Sequence, residues 1–166
     1  FFPIRVSDLK ASLVFDPSLI GRFKIGSVEV ETIPTSHPDG GLGYRFTEDG
    51  ASFVFLTDNE LGFVHPGGRT AEEYLSFCKN ANLLIHDAEY TAEEYSGKPQ
   101  WGHSSQDDVL DLAVRAGVSR LGLFHMNQNR TDDEIDAMVD ACRSRLAESG
   151  SRLDCFAVSC YMTFNL

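Results

Sequence analysis

The sequence predicts a mixed α/β domain, and three observations carry that reading. The first third consists of short extended runs broken by Gly, Pro and Asp turns. From Thr70 onward, helical apolar spacing alternates with short apolar strands. Ser or Thr followed three residues later by Asp or Glu marks each helix start. In chain order, Leu13 to Phe15, Phe23 to Ile25, Val28 to Ile33, Gly43 to Phe46 and Ser52 to Thr57 read as a meander of strands. Thr70-x-x-Glu73 opens a helix running to about Ala81, and the strand Leu83 to Ile85 comes after it. Ser105-x-x-Asp108 opens a second helix, with Val109, Leu112, Ala113 and Ala116 on one face and Gly117 as its stop. The strand Arg120 to Phe124 comes next. Thr131-x-x-Glu134 opens a third helix whose stripe is Ile135, Met138, Val139, Cys142 and Leu146; it ends at Gly150 before the strand Cys155 to Val158.

A chain of 166 residues fits one domain and buries roughly 70% of its unfolded surface, so it needs no disulfide or structural metal merely to fold. No repeat or linker divides it, and residues 1–166 read as a single unit. Apolar runs such as Phe53 to Leu56 fall far short of the ~20 residues of a membrane helix. With 14 Lys+Arg against 25 Asp+Glu the net charge is −11, and no basic cluster offers phosphate neutralisation, so nucleic-acid binding is not expected. Cys78, Cys142, Cys155 and Cys160 form no C-x-x-C pair, lie in apolar contexts and read as reduced core thiols. No signal peptide is visible, and the cytoplasm is the default compartment.

The chemistry lies just past the strand ends. His37 trails the strand ending at Ile33, Asp58 trails Phe53 to Thr57, His86-Asp87 trails Leu83 to Ile85, and His125 trails Leu121 to Phe124. In layered α/β folds ligands bind in the crevice outside strand ends, where core packing holds such residues in place. Taken singly, each has an ordinary reading as a turn, cap or hydrogen-bonding residue. Together, imidazoles and carboxylates are the ligand set that Zn, Fe and Mn prefer. His103, in Gly102-His103-Ser104-Ser105, sits on a loop before a capped helix and can approach that crevice. His65 has no strand behind it and is assigned no chemical role; Tyr90 and Trp101 are candidates to wall a pocket or cover a core edge.

Five stretches in this order resemble the metallo-β-lactamase-fold hydrolases, in particular the branch of ribonuclease Z and related phosphodiesterases. They are Thr35-Ser36-His37-Pro38 with Gly43-Tyr44-Arg45, Phe55-Leu56-Thr57-Asp58, Leu84 to Thr91 with His86-Asp87-Ala88-Glu89, Gly102-His103-Ser104-Ser105, and Leu123 to Asn127. The likeness runs from about Phe23 to Arg130. It implies the C-terminal half of an αβ/βα sandwich. By position, His37 looks like the histidine completing a first metal site, Asp58 like the carboxylate bridging two metals and His125 like a ligand of the second. Asp87 is similar in place to the acid of the branch's His-Glu-Ala-Thr motif, one methylene shorter, and His103 to the histidine of its Gly-His-Ser-Thr loop; this pair would serve as general acid. The implied cofactors are two divalent ions, zinc foremost, with manganese or iron as alternatives. The implied chemistry is attack on phosphorus or a carbonyl carbon by metal-bound hydroxide.

One departure is large. The family's His-x-His-x-Asp-His run, source of three or four ligands, is absent from these residues, and the opening Phe1-Phe2-Pro3 reads like an internal segment. The N-terminal half of the domain is therefore an expected partner, and this chain alone is expected to be nearly inactive. The acidic balance favours a small or cyclic phosphodiester over structured RNA. Homo-oligomerisation and metal identity stay open. Two other classes remain: a binding or sensory module that keeps the fold without the chemistry, and a subunit-interaction half that pairs through an edge strand near Leu13 to Phe15.

Overall fold

A computed structural model of the chain describes residues 8, 10, 11 and 16–166. The expected strand at Leu13 to Phe15, and the edge-pairing reading built on it, lie outside the described residues. A short 3-10 turn at Pro17–Leu19 precedes seven strands and four helices: β1 (Arg22–Ile25), β2 (Val28–Pro34), β3 (Leu42–Glu48), β4 (Ala51–Leu56), α1 (Ala71–Cys78), β5 (Leu83–Asp87), α2 (Ala92–Tyr95), α3 (Gln106–Ala116), β6 (Arg120–Phe124), α4 (Asp132–Ser149) and β7 (Asp154–Ala157).

The strands form one sheet in the order β1-β2-β3-β4-β5-β6-β7. β1 to β4 pair antiparallel, and β4 to β7 pair parallel. Two successive antiparallel pairings give β2 the direction of β4, so β2, β4, β5 and β6 all end at the same edge of the sheet. This is why residues far apart in sequence meet there.

Each longer helix begins where its cap chemistry says. Thr70 and Thr131 form capping boxes with Glu73 and Glu134, Ser105 accepts from the Asp108 amide, and Gly117 and Gly150 end α3 and α4 in the left-handed conformation. Thr91 caps α2 through a further box with Glu94 that periodicity did not reveal, because four residues complete barely one turn.

One face of the sheet meets α1, α3 and α4 in a continuous core. Val54, Leu56, Leu84, Leu121, Leu123 and Cys155 pack there against Tyr74, Cys78, Val109, Ala113, Val139, Cys142 and Leu146. The other face carries an aromatic ladder, Tyr44-Phe46-Phe53-Phe55-Phe124, with successive ring centroids 6.1, 5.7, 6.3 and 5.8 Å apart. These rings are half-buried. Cys78, Cys142 and Cys155 are buried free thiols as expected, but Cys160 is exposed, since β7 ends at Ala157 and the chain beyond leaves the core. Among the described residues, no helix is long and apolar enough to cross a membrane.

Candidate metal and catalytic centre

Four of the loops leaving the shared sheet edge deliver the chemistry. Asp58 stands just past β4, Asp87 is the last residue of β5, His125 comes directly after β6, and His37 lies beyond β2. His103 arrives from the loop before α3. The side chains of Asp58, His103 and His125 each offer a ligand atom, and these atoms all lie within 4.8 Å of one another. His125 Nε2 is 3.3 Å and His103 Nδ1 3.8 Å from Asp58 Oδ1, and the two imidazoles stack with centroids 4.5 Å apart. Two stacked imidazoles against a carboxylate is a donor set that suits a divalent cation, with nitrogen and oxygen ligands already converged.

The backbone supports this convergence at some cost. Asp58 and His125 both adopt the left-handed conformation, with φ of 54° and 51°. Non-glycine residues hold that conformation only where their surroundings over-determine it, and such strain clusters at functional sites.

His37 lies outside the converged trio, although sequence placed it with Asp58 and His125 as a ligand. Its ring is edge-on to His103 with centroids 5.5 Å apart. The third member of the trio is instead His103, which the sequence had assigned to acid chemistry. Gly102, at φ +91°, lies so close that a Cβ there would overlap the His37 ring and Pro38, so the two loops pack directly against each other.

Behind His103 stands Asp87, fully buried, with Oδ2 3.1 Å from His103 Nδ1. The same carboxylate accepts the Ser104 amide at 3.2 Å and the Asn59 amide at 3.2 Å, and His86 Nδ1 lies 3.0 Å from its Oδ1. Burial alone would raise the Asp87 pKa, but hydrogen bonds from His103 and His86 outweigh it and hold the carboxyl below its ordinary range. His103 responds in the opposite sense. Burial would lower its pKa, yet the Asp87 hydrogen bond and the charges of Asp87, Glu89 and Asp58 hold it above the ordinary histidine value. His86 itself is buried away from the trio, with Nδ1 2.7 Å from the Asp87 carbonyl and Nε2 3.3 Å from Asn59 Nδ2, so it orients rather than binds.

Three residues that sequence reasoning did not single out complete the surroundings. Glu89 Oε2 lies 3.5 Å from His103 Nε2 and 3.6 Å from His125 Nδ1, adding a second carboxylate to the cluster. Its position two residues past Asp87 was the available signal. Asn59 and Glu60 come directly after Asp58 and are fully buried. His65, given no role from sequence, is also buried and lies 2.8 Å from Glu60 Oε2. Of the two aromatic candidates, Tyr90 is buried beside His103, whereas Trp101 is exposed under the Lys98 ammonium.

Comparison with known proteins agrees with this architecture. The beta-lactamase superfamily domain family matches residues 10–126. A ribonuclease Z of Halalkalibacterium halodurans is 32% identical over 100 residues, covering 60% of this chain and 29% of that protein. The metallo-beta-lactamase fold protein YhfI from Bacillus subtilis superposes with a TM-score of 0.64 at 19% identity, covering 89% of this chain and 51% of the other. The short form of human tRNase Z superposes with a TM-score of 0.59 at 18% identity, covering 84% and 44%. The chain thus spans from under a third to about half the length of these proteins.

These relatives overturn one expectation. A small phosphodiester, with nucleic acid unlikely, was expected from the acidic balance, yet the similar proteins include ones named ribonuclease Z and tRNase Z. Net charge misleads here because it sums a whole chain. What admits or repels a phosphate is the local field at a site, which a whole-chain sum does not describe. With the family model matching residues 10–126, more than half of its length, the chain belongs to the beta-lactamase superfamily domain family.

Proposed function

We propose that the chain forms part of a metal-dependent hydrolase of phosphodiester bonds in RNA. The observation that carries this reading is the convergence of Asp58, His103 and His125 at the shared sheet edge, with buried Asp87 directly behind His103. The ribonuclease names of the relatives supply the substrate class.

In this reading Asp58 and His125 would hold a divalent ion and His37, beside the cluster, would complete a second site; zinc would be the first choice for an imidazole and carboxylate set, and two ions the full complement. Bound there, such ions supply positive charge to the phosphoryl oxygens and lower the pKa of water. The remaining chemistry belongs to the chain. Asp87 accepts the Nδ1 proton of His103 and so fixes its ring and tautomer, leaving Nε2 to carry the mobile proton. The Asp87 hydrogen bond favours the protonated form of His103, and Nε2 delivers that proton to the departing oxygen. Glu89 faces both imidazoles, its Oε2 3.5 Å from His103 Nε2 and 3.6 Å from His125 Nδ1.

The test is Asp58→Ala in the full-length protein, with metal content measured by atomic absorption and cleavage measured on a structured RNA. The expected result is loss of bound metal together with at least ~10³-fold loss of turnover, within the range expected when the charge stabilising a transition state is removed. Turnover retained with the metal lost would sink the proposal.

A further inference from the structure

Glu60 has no assigned role, yet it joins the segment after Asp58 to the loops that carry His37 and His103. It is a fully buried carboxylate that receives four donors. Oε1 accepts the Tyr95 hydroxyl at 2.6 Å and the Gln100 amide at 2.7 Å. Oε2 accepts the Gly102 amide at 2.8 Å and lies 2.8 Å from His65 Nε2. Its own backbone amide donates to the Ser36 carbonyl at 2.8 Å, next to His37, and it stands two residues past Asp58. The segment it grips includes Gln100 at φ 71°, a conformation that is costly outside glycine.

His103 is therefore held from both sides. The amide before it, on Gly102, goes to Glu60, and the amide after it, on Ser104, goes to Asp87. Asp87 also meets the His103 ring, so its role is visible from the site, whereas Glu60 acts only through the backbone. A buried carboxylate is costly unless its lone pairs are used, and here four donors use them. No neutral side chain of the same size can do this. A glutamine has one acceptor oxygen, and its amide group would face the Gly102 N–H or the His65 ring.

We propose that Glu60 is a positioning residue that clamps the 100–102 segment to the end of β4, thereby setting where His103 stands relative to Asp58. This rests on the reading of His103 as a residue of the reacting centre. The clamp is checked by Glu60→Gln in the full-length protein, with amide hydrogen exchange and steady-state cleavage of RNA as the two readouts. Exchange at Gln100 and Gly102 should rise about tenfold or more, as expected for loss of charge-assisted bonds, while the β5 and β6 ladder amides stay protected. On RNA, kcat should fall by about tenfold or more with KM within about twofold, because a displaced proton donor affects the reacting step rather than binding. Unchanged exchange at Gly102, or equal acceleration throughout the sheet, overturns the proposal. If Glu60→Gln does not fold, Tyr95→Phe removes one donor while keeping the carboxylate; faster exchange confined to residues 95–102 supports the clamp, and unaltered exchange refutes it. Should the wild-type protein fail to cleave RNA, the proposed function falls, while the exchange measurement still decides on the clamp.

Discussion

Replacing His103 by Ala in the full-length protein separates the two roles that its position permits. The structure bounds both effects. For folding, Asp87 loses only one of its partners, since Ser104 N–H at 3.2 Å, Asn59 N–H at 3.2 Å and His86 at 3.0 Å remain. The expected stability loss is about 1–3 kcal/mol, that of one charge-assisted hydrogen bond. For catalysis, loss of a positioned general acid costs about 10²–10⁴-fold, or roughly 2.7–5.4 kcal/mol at 1.36 kcal/mol per decade. The assay is single-turnover cleavage of an RNA substrate alongside atomic absorption on the same sample. A phosphodiester probe with a nitrophenyl leaving group runs in parallel, because a good leaving group needs no proton and the defect should shrink there. Metal content should stay at the wild-type level. A parallel fall in bound metal would move His103 among the ligands, where its place beside Asp58 and His125 also puts it. An equal defect on the activated probe would refute the acid role.

The same geometry yields three further expected outcomes. Asp87→Asn removes the charge that raises the His103 pKa, so the alkaline limb of the pH-rate profile should move to lower pH and kcat should fall about tenfold or more; an unmoved limb would show that Asp87 does not set that pKa. Gly102→Ala adds a Cβ that overlaps the His37 ring at a φ of +91°, and should cost about 1–3 kcal/mol in urea unfolding together with most of the activity; a silent variant would mean that the loop packing is looser than described. Asp87 and Glu60 both titrate below their ordinary values in the folded protein. Their stabilisation is thus present in full above the ordinary carboxylate range and is lost as pH falls through the depressed values. Unfolding free energy measured at a series of pH values should drop on the acid side, and this slope should weaken in Glu60→Gln.

The elements most legible in the sequence were those with period and punctuation. The helices from Thr70, Ser105 and Thr131 announced themselves by caps and apolar stripes, and the strands by short β runs, so boundaries differ from the structure by a residue or two, except that α1 stops at Cys78 rather than near Ala81. Strand direction was not written in those runs, yet it is what brings Asp58, Asp87 and His125 to one edge. α2 escaped because a four-residue helix has no face to read. Within the site, residue types named the chemistry but not the distances. His103 and His37 each sit beside ordinary turns, and only the folded arrangement shows that it is His103 whose ring nitrogen comes near Asp58. Glu60 was illegible for a different reason. Its partners Tyr95, Gln100 and Gly102 lie 35 to 42 residues away, and a glutamate after a strand is commonplace until those amides arrive.

The strand order of the sheet has a consequence for how the molecule is made. Among the described residues each of β2 to β7 pairs with the strand before it in sequence, so none of them has to be threaded between two neighbours already in place. A ribosome releasing this chain would extend the sheet by one rung at a time, first by hairpins and then by helical crossovers, with each new strand finding a waiting edge. The loops that carry Asp58, Asp87 and His125 would emerge in that same succession, so the centre would be complete only once β6 docks, before α4 and β7 are added.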